Sequence, residues 1–333
     1  MDDPASRAGT EEPAMKIAEF PVSAARASVA AALTEDMAAD DITTLWSVPA
    51  DLIATAEVST RQPGVVAGLP VVPEVFARTD PQVQVESLVA DGARVQAGDV
   101  LVRLTGPARS LITAERTVLN FLQRLCGIAT FTDRFVQAVA GTPARILDTR
   151  KTAPGLRALD KYAVTVGGGS NHRLSLAAMV LLKENHIAAA GGVTAAIEAV
   201  RKGMAESGTR VPIEVEVQTV AEAWEALEAL EPLEAPVALE TLKTLNALET
   251  GVGWLLLDNM EPADIEEVVR VRAGRPGGAE ILLEASGNVT LDRVRTIADT
   301  GVDLISIGAL THSAPALDLT MLIALDEDRP RLR

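Results

Sequence analysis

The sequence has few of the residues that disulfide-stabilised, zinc-binding and base-stacking proteins need. Its 333 residues include one cysteine and three histidines, and only 3% are aromatic. The single cysteine, Cys126, excludes an internal disulfide and fits a reducing compartment. The histidines lack the spacing of a zinc site. So few aromatic residues also argue against a platform for stacking nucleic-acid bases.

Long apolar runs and excess positive charge are also missing. No run approaches the roughly 18 apolar residues of a membrane span, and the acidic start MDDPASRAGTEEPAMK is no secretory signal. The net charge of −16 argues against nucleic acid as a partner. The length and 48% hydrophobic content predict a large core and favour two domains. We expect a cytoplasmic protein in which residues 1–15 form a disordered tail.

The first part of the chain predicts a small α/β domain. A helix is expected over Ser23–Leu33, short strands over 54–104, and another helix over 106–125 with Ser110 or Thr113 as its cap. VADGARVQAGDVLVRL looks like the hairpin region of a biotinyl or lipoyl carrier. Such a carrier needs a lysine for its cofactor, and none lies between residues 16 and 151.

From Ala144 onward, buried strands alternate with amphipathic helices, which predicts a parallel sheet covered by helices. At least six units without a dinucleotide fingerprint favour a barrel over an open sheet. The predicted strands are Arg145–Thr149, Met179–Lys183, Pro212–Val217, Trp254–Asp258, Ile281–Ala285 and Asp303–Ile307. The predicted helices are Val193–Glu206, Val220–Leu230, Pro262–Val271 and Leu291–Thr300. The segment 231–252 reads as an extra helix.

A cationic segment lies inside this acidic chain. Between Arg145 and Glu184 there are seven Lys or Arg residues and three Asp or Glu residues. The predicted strand ends also carry polar residues, and in a parallel barrel these ends share one rim. Unpaired buried cations are costly, so a bound anion explains them best. Arg150 and Arg173 offer planar forks that suit carboxylate and phosphate.

Acidic and glycine-rich strand ends complete the predicted rim. Glu214 and Glu216 alternate along one strand, and with Asp258 they could share a divalent cation or hold sugar hydroxyls. The turn at 285–288 just before a helix, and Gly308, could offer backbone N–H groups to a phosphate. There is no P-loop motif. The sequence therefore predicts a site for carboxylates, phosphate and a divalent metal.

Seven segments then carry a resemblance to a known family: AERTVLNFLQRLCGIAT, DTRKTAPGLRALDKYAVTVGGGSNHR, LLKENHI, EVEV, LLLDNM, LEASGN and GVDLISIGALTHS. Together they resemble quinolinate phosphoribosyltransferases over about residues 23–320. The resemblance implies an α/β fold in which an α+β N-terminal sandwich, 16–128, joins an incomplete seven-stranded TIM-like barrel, 129–312. Residues 313–325 could return to the first domain. The implied enzyme makes nicotinate mononucleotide, carbon dioxide and pyrophosphate from quinolinate and phosphoribosyl pyrophosphate with Mg²⁺.

The resemblance also assigns roles to residues. It implies catalytic roles for Lys151, Glu216 and Asp258, and makes the two carboxylates metal ligands, partly through water or substrate. The implied substrate-binding set is Arg116, Thr149, Arg150, Lys151, His172, Arg173, Lys183, Glu216, Asp258, Ser286, Gly287 and Gly308. In the family the arginine that matches Arg116 comes from a neighbouring subunit of a dimer or hexamer, whereas periodicity alone makes Arg116 a solvated surface residue.

Two departures and three alternatives remain open. Many relatives have an acid shortly before LLKENH, where this chain has Ala178, and the insertion near 231–252 could alter assembly. The alternatives are a Schiff-base aldolase with Lys183 as nucleophile, a sister phosphoribosyltransferase acting on another acid such as nicotinate, and a non-enzymatic carrier. The surplus of cations favours a diacid substrate.

Overall fold

The computed structural model describes residues 17–230 and 253–325. The expected tail at 1–15 and the expected extra helix at 231–252 therefore lie outside the described residues. The described residues form two main sheets, one antiparallel and one parallel, with a two-stranded ribbon beside them. None of the described helices is both long and apolar enough to cross a membrane.

The N-terminal part is a four-stranded antiparallel sheet covered by helices, and its strands lie in the order β12 (Leu319–Leu325), β1 (Ile53–Thr60), β5 (Val100–Pro107) and β3 (Gln84–Ser87). Burial along β1 alternates residue by residue, as expected when one face of a sheet meets the core. The elements up to the long helix are α1 Val22–Glu35, α2 Ile42–Ser47, β1 Ile53–Thr60, β2 Gly64–Val65, α3 Val71–Thr79, β3 Gln84–Ser87, β4 Arg94–Val95, β5 Val100–Pro107 and α4 Ala108–Ala138.

The second part is a parallel sheet of order β6-β11-β10-β9-β8-β7, with helices between successive strands. This confirms the predicted alternation. Its elements are β6 Arg145–Leu147, α5 Arg157–Val166, β7 Val180–Leu182, α6 Glu184–Ala190, α7 Val193–Ser207, β8 Ile213–Val217, α8 Val220–Ala229, β9 Gly253–Asp258, α9 Pro262–Ala273, β10 Leu282–Ser286, α10 Val294–Asp299, β11 Leu304–Ser306 and α11 Ala309–His312. The last described strand, β12 Leu319–Leu325, returns to pair antiparallel with β1.

The parallel sheet curves around an apolar interior. β6 and β7 are its outer strands, yet Leu147 of β6 and Met179, just before β7, belong to one apolar cluster with Trp254 of β9. A flat sheet would keep its two edges apart. An isolated parallel bridge from Leu147 to Ser170 extends the sheet beyond β6, where a seventh strand would lie. The described sheet thus has six strands and a single bridging residue in that place.

Helix α4 joins the two sheets because it packs on both. It contacts β1, β2, β5 and β12 on the N-terminal side, and β6, α5 and α11 on the other. The helix has no room for a larger residue at Gly127, where a Cβ atom would lie 2.3 Å from the carbonyl oxygen of Pro315. The chain returning toward β12 therefore passes directly over α4.

Candidate active site

The carboxyl ends of the parallel strands bring most of the predicted site residues to one rim, as expected for parallel strands in one sheet. Each strand from β6 to β11 ends in, or is followed closely by, at least one of them. The rim residues are Thr149, Arg150 and Lys151 after β6, Arg173 after the bridging residue Ser170, Lys183 after β7, Glu216 in β8, Asp258 in β9, Ser286 and Gly287 at the end of β10, and Gly308 after β11.

Three rim cations have no carboxylate partner within the part of the chain that the structure describes. Arg150 has a buried Nε atom with no hydrogen-bond partner there. Arg173 is almost wholly buried and donates from Nη1 to the carbonyl oxygen of Met179 at 2.9 Å. Burial, with the nearby charge of Arg150, lowers the pKa of Arg173. The Lys151 side chain passes over Gly308, where a Cβ atom would lie 2.9 Å from its Cδ. This unpaired positive charge fits an anion site.

Lys183 is the rim cation with an acid partner, since its ammonium group donates to the carboxylate of Glu216. A Schiff-base lysine needs its amine free to attack a carbonyl carbon, whereas this one is held by Glu216, so the geometry argues against a Schiff base on Lys183.

His172 lies below the rim, and both of its ring nitrogens face protein atoms. Nδ1 accepts a hydrogen bond of 2.7 Å from the backbone N–H of Arg173. In the neutral ring the proton is therefore on Nε2, which lies 3.0 Å from Glu214 and 3.6 Å from Glu284. Burial lowers the pKa of His172, which favours that neutral ring.

Glu214 and Glu284 are fully buried beneath the rim. Burial raises the pKa of each carboxyl group to about 8. Among the described residues, one group of three acidic or histidine side chains lies close enough together to share an ion. Its members are His172, Glu214 and Glu284. The three-carboxylate site suggested for Glu214, Glu216 and Asp258 is therefore wrong, because Glu214 lies with His172 below the rim.

Glu216 and Asp258 fit a magnesium ion by the chemistry of their donors. Both carboxylates come from neighbouring strands, with Glu216 opposite Leu256 and Asp258 two residues further toward the rim. Asp258 accepts a 3.0 Å hydrogen bond from the Asn259 amide, and Glu216 is bound to Lys183 through one oxygen. Mg²⁺ prefers one or two such hard oxygen ligands together with substrate phosphates.

Two adjoining turns at the rim are locked together by asparagines in left-handed conformations. Asn259 and Asn288 have φ of 55° and 47°, and the Asn288 amide donates to Asn259 Oδ1 at 2.9 Å. Gly287 between them has φ of +93°, and a Cβ there would lie 2.3 Å from Asn259 Oδ1. The helix expected over Leu291–Thr300 begins at Val294, so the turn at 285–288 is not a helix N-terminus.

Arg116 lies outside this rim. It is exposed on α4 in a groove of about 620 Å³ between α1 and α4, which Arg124 and residues 154–156 also line. Asp41 caps α2 by accepting a hydrogen bond from the backbone N–H of Thr44 at 3.0 Å.

Comparisons with known proteins agree across both parts of the chain. The family models described as quinolinate phosphoribosyl transferase, N-terminal and C-terminal domains, match residues 41–126 and 128–322. A decarboxylating quinolinate phosphoribosyltransferase of Nicotiana tabacum is 41% identical over 303 residues, covering 88% of this chain and 80% of its own length. A carboxylating nicotinate-nucleotide pyrophosphorylase of Mycobacterium leprae is 42% identical over 301 residues, covering 89% and 96%. The solved nicotinate-nucleotide pyrophosphorylase of Francisella tularensis superposes with a TM-score of 0.79 at 35% identity, covering 93% and 99%.

Proposed function

The chain belongs to the quinolinate phosphoribosyltransferase family, and from this premise we propose that its rim catalyses the reaction named for that family. It transfers the phosphoribosyl group of phosphoribosyl pyrophosphate to quinolinate and releases pyrophosphate and carbon dioxide. The product, nicotinate mononucleotide, is a precursor of NAD. The enzyme is a pentosyltransferase.

The observation that carries this proposal is the surplus of rim cations without acid partners among the described residues. Quinolinate brings two carboxylates, and the sugar substrate brings a phosphate and a pyrophosphate. Arg150, Lys151 and Arg173 form no ion pair with a carboxylate among the described residues, and Glu214 acts on Arg173 only at longer range. A bound dianion offsets the electrostatic repulsion between these cations.

We assign the quinolinate carboxylates to Thr149, Arg150, Arg173 and Lys183. The two guanidinium groups and the ammonium group bind the two carboxylates, and this binding orients the ring nitrogen toward C1 of the sugar. His172 lies below these residues and supports their positions. It contacts the diacid directly only if its Nε2–H turns away from Glu214.

We assign the sugar substrate to the rim residues beside the quinolinate site, which meet it where Lys183 contacts Glu216. Glu216 and Asp258 hold the ribose hydroxyls and would be the ligands of Mg²⁺, partly through water or substrate, while Ser286, Gly287 and Gly308 offer backbone N–H groups to phosphate. A bound Mg²⁺ would supply additional positive charge beside the pyrophosphate. Lys151, which passes over Gly308, neutralises the pyrophosphate as it leaves.

Two steps then complete the reaction. The ring nitrogen forms a bond to C1 while the bond from C1 to pyrophosphate breaks, and the pyrophosphate takes the electron pair. The carboxylates of Glu216 and Asp258 stabilise the positive charge that develops on the ribosyl group. The alkylated ring is then cationic, so it accepts the electron pair of the neighbouring carbon–carboxylate bond. Carbon dioxide leaves, and a proton takes its place on the ring carbon.

Isotope release tests the proposal. Quinolinate labelled in the 2-carboxylate, incubated with phosphoribosyl pyrophosphate and Mg²⁺, should release labelled carbon dioxide in equal amount to pyrophosphate. Nicotinate in its place should give no product at the same enzyme concentration. Product from nicotinate, with no carbon dioxide from quinolinate, would identify the sister activity instead.

Assembly and location are further parts of the proposal. We place the partner subunit's Arg116 at the pyrophosphate end of each site, so that the functional unit is a dimer or a hexamer of dimers. The exposure of Arg116 on α4, away from the rim residues, supports this arrangement. The compartment is the cytoplasm, in keeping with the single reduced cysteine, which is buried.

A further inference from the structure

A fully buried carboxylate, Asp148, lies directly after β6 and before the rim residues Thr149, Arg150 and Lys151. Lys161, on α5, is 1% exposed, and its ammonium group donates to Asp148 Oδ1. The same ammonium donates to the carbonyl oxygen of His172 at 2.8 Å. One ion pair therefore connects the loop after β6 with the loop that leads to Arg173.

Asp148 makes the second connection itself. It accepts a hydrogen bond of 2.8 Å from the backbone N–H of His172. The side-chain amide of Asn171, in the orientation that satisfies its hydrogen bonds, donates to Asp148 Oδ2 at 2.6 Å and to the carbonyl oxygen of Lys161 at 2.9 Å. The residues on either side of this network, Arg150 and Arg173, are the two rim guanidiniums.

The buried pair of Asp148 and Lys161 costs desolvation energy, so it is a poor source of folding stability. Burial raises the pKa of Asp148 to about 6 and lowers the pKa of Lys161, and each partner only opposes the effect of burial on the other. The charges of Arg150 and Arg157 add to the cost of keeping Lys161 charged. Buried ion pairs are often no better for stability than apolar residues of similar volume. Their geometry, in contrast, specifies where each loop lies.

We propose that Asp148 and Lys161 are positioning residues for substrate binding. They contact no substrate, and they hold the 149–151 loop against the 171–173 turn so that Arg150 and Arg173 converge on one anion. The inference rests on the proposed function, because it needs quinolinate as the ligand that the converged guanidiniums bind.

The test measures quinolinate affinity separately from fold stability. In the full-length enzyme, Lys161→Met should weaken the calorimetric Kd for quinolinate at least tenfold and raise its KM in parallel, with a smaller change in kcat. The double variant Asp148→Asn/Lys161→Met buries no unpaired charge, so it should regain melting temperature relative to Lys161→Met while its Kd remains weak. Wild-type affinity in the double variant would overturn the proposal.

A milder variant and a control keep the test decisive if the ion-pair variants fold poorly. Asn171→Ala removes only the amide link to Asp148 and should weaken Kd several-fold with a nearly unchanged melting temperature; an unchanged Kd would overturn the proposal. Asp303→Asn removes the acid that pairs with Arg272, just before β11 at the opposite end of the barrel. It should lower the melting temperature and leave Kd unchanged. If the wild-type enzyme itself neither binds quinolinate nor releases carbon dioxide from it, the proposed function fails instead.

Discussion

Lys183 is the residue whose role separates the proposed chemistry from the aldolase alternative. Its ammonium group is bound to the carboxylate of Glu216, and we assign it to a quinolinate carboxylate. Lys183→Ala should lower kcat/KM for quinolinate at least 100-fold, the size of effect typical for removing one preorganised electrostatic group. Steady-state kinetics measures this.

A matched control for that variant is Lys202→Ala, which breaks the exposed pair with Glu206 on α7. It should retain wild-type kinetics. Wild-type turnover in Lys183→Ala would contradict the assignment, and borohydride trapping of a carbonyl compound on Lys183 would point to the Schiff-base enzyme.

Glu284 should make stability depend on pH. Burial raises its pKa from 4.5 to about 8, so the folded state binds more protons than the unfolded state between these values. The free energy of unfolding therefore falls as pH rises through this window. Glu284→Gln should reduce the fall between pH 5 and pH 8 by at least about 1.4 kcal/mol, the equivalent of one pKa unit. Urea unfolding across that range measures it, with the exposed Glu206→Gln as a control of unchanged slope. An equal slope in Glu284→Gln would contradict the burial argument.

At the residue scale, the sequence predicted which polar side chains end the strands but not which of them meet below the rim. Glu216 and Asp258 were recognisable because parallel strands end on one side of a sheet. The contact of His172 with Glu214 and Glu284 depends on curvature that brings a loop against two strands on either side of β9. The inward alternation of Leu282, Glu284 and Ser286 along β10 was the available signal.

The locked turns after β9 and β10 give a prediction at the scale of elements. Gly287→Ala places a Cβ against Asn259 at a φ of +93°. The turn must shift, so the KM for phosphoribosyl pyrophosphate should rise at least tenfold, with a stability loss of about 1–3 kcal/mol from backbone strain. Kinetics and thermal unfolding measure the two effects.

Gly141→Ala is the control for that variant. Gly141 has φ of +81°, but a Cβ atom there would meet nothing within 4 Å. It should lose stability from backbone strain alone and retain its KM. If both variants keep the wild-type KM, the turn at 287 does not bind the sugar substrate.

The helices and strands were predicted with uneven success. Periodicity located the parallel strands to within about two residues, because each is a short apolar run between turns. The helix expected over 106–125 is α4, which continues to Ala138, and neither Ser110 nor Thr113 caps it. Their hydroxyls instead donate to Asp80 at 2.6 Å and Asp41 at 2.8 Å. Helix α3 was missed, because its valines fit a strand equally well. The domain boundary at 128/129 falls within α4 and stays a prediction.

Subunit complementation tests the whole-molecule arrangement. Arg116→Ala and Lys183→Ala chains, each inactive, should regain activity when refolded or co-expressed together. A mixed dimer contains one site with its own Lys183 and the partner subunit's Arg116 intact. Random mixing gives about half mixed dimers, each with one working site, so about a quarter of wild-type activity is expected. Mixing two samples of Arg116→Ala is the control. Failure to regain activity would show that Arg116 acts within its own chain.

At the scale of the molecule, the architecture was predictable and the assembly was not. Alternating strands and helices indicate a parallel sheet, and the family resemblance indicates the domain in front of it. The return of β12 to β1 places the first and the last of the described strands side by side in one sheet. The periodicity of a single chain carries no information about a second copy. It therefore could not predict which surfaces meet between subunits.

Calorimetric titration of the enzyme with quinolinate, compared with nicotinate, tests the central claim most directly. If uncompensated rim cations hold a pyridine diacid, quinolinate should bind at least tenfold more tightly than the monoacid, a difference of about 1.4 kcal/mol. That advantage should shrink as salt is raised, because screening weakens the attraction between charges. Equal affinity for the two acids, or no binding of quinolinate, would contradict the account.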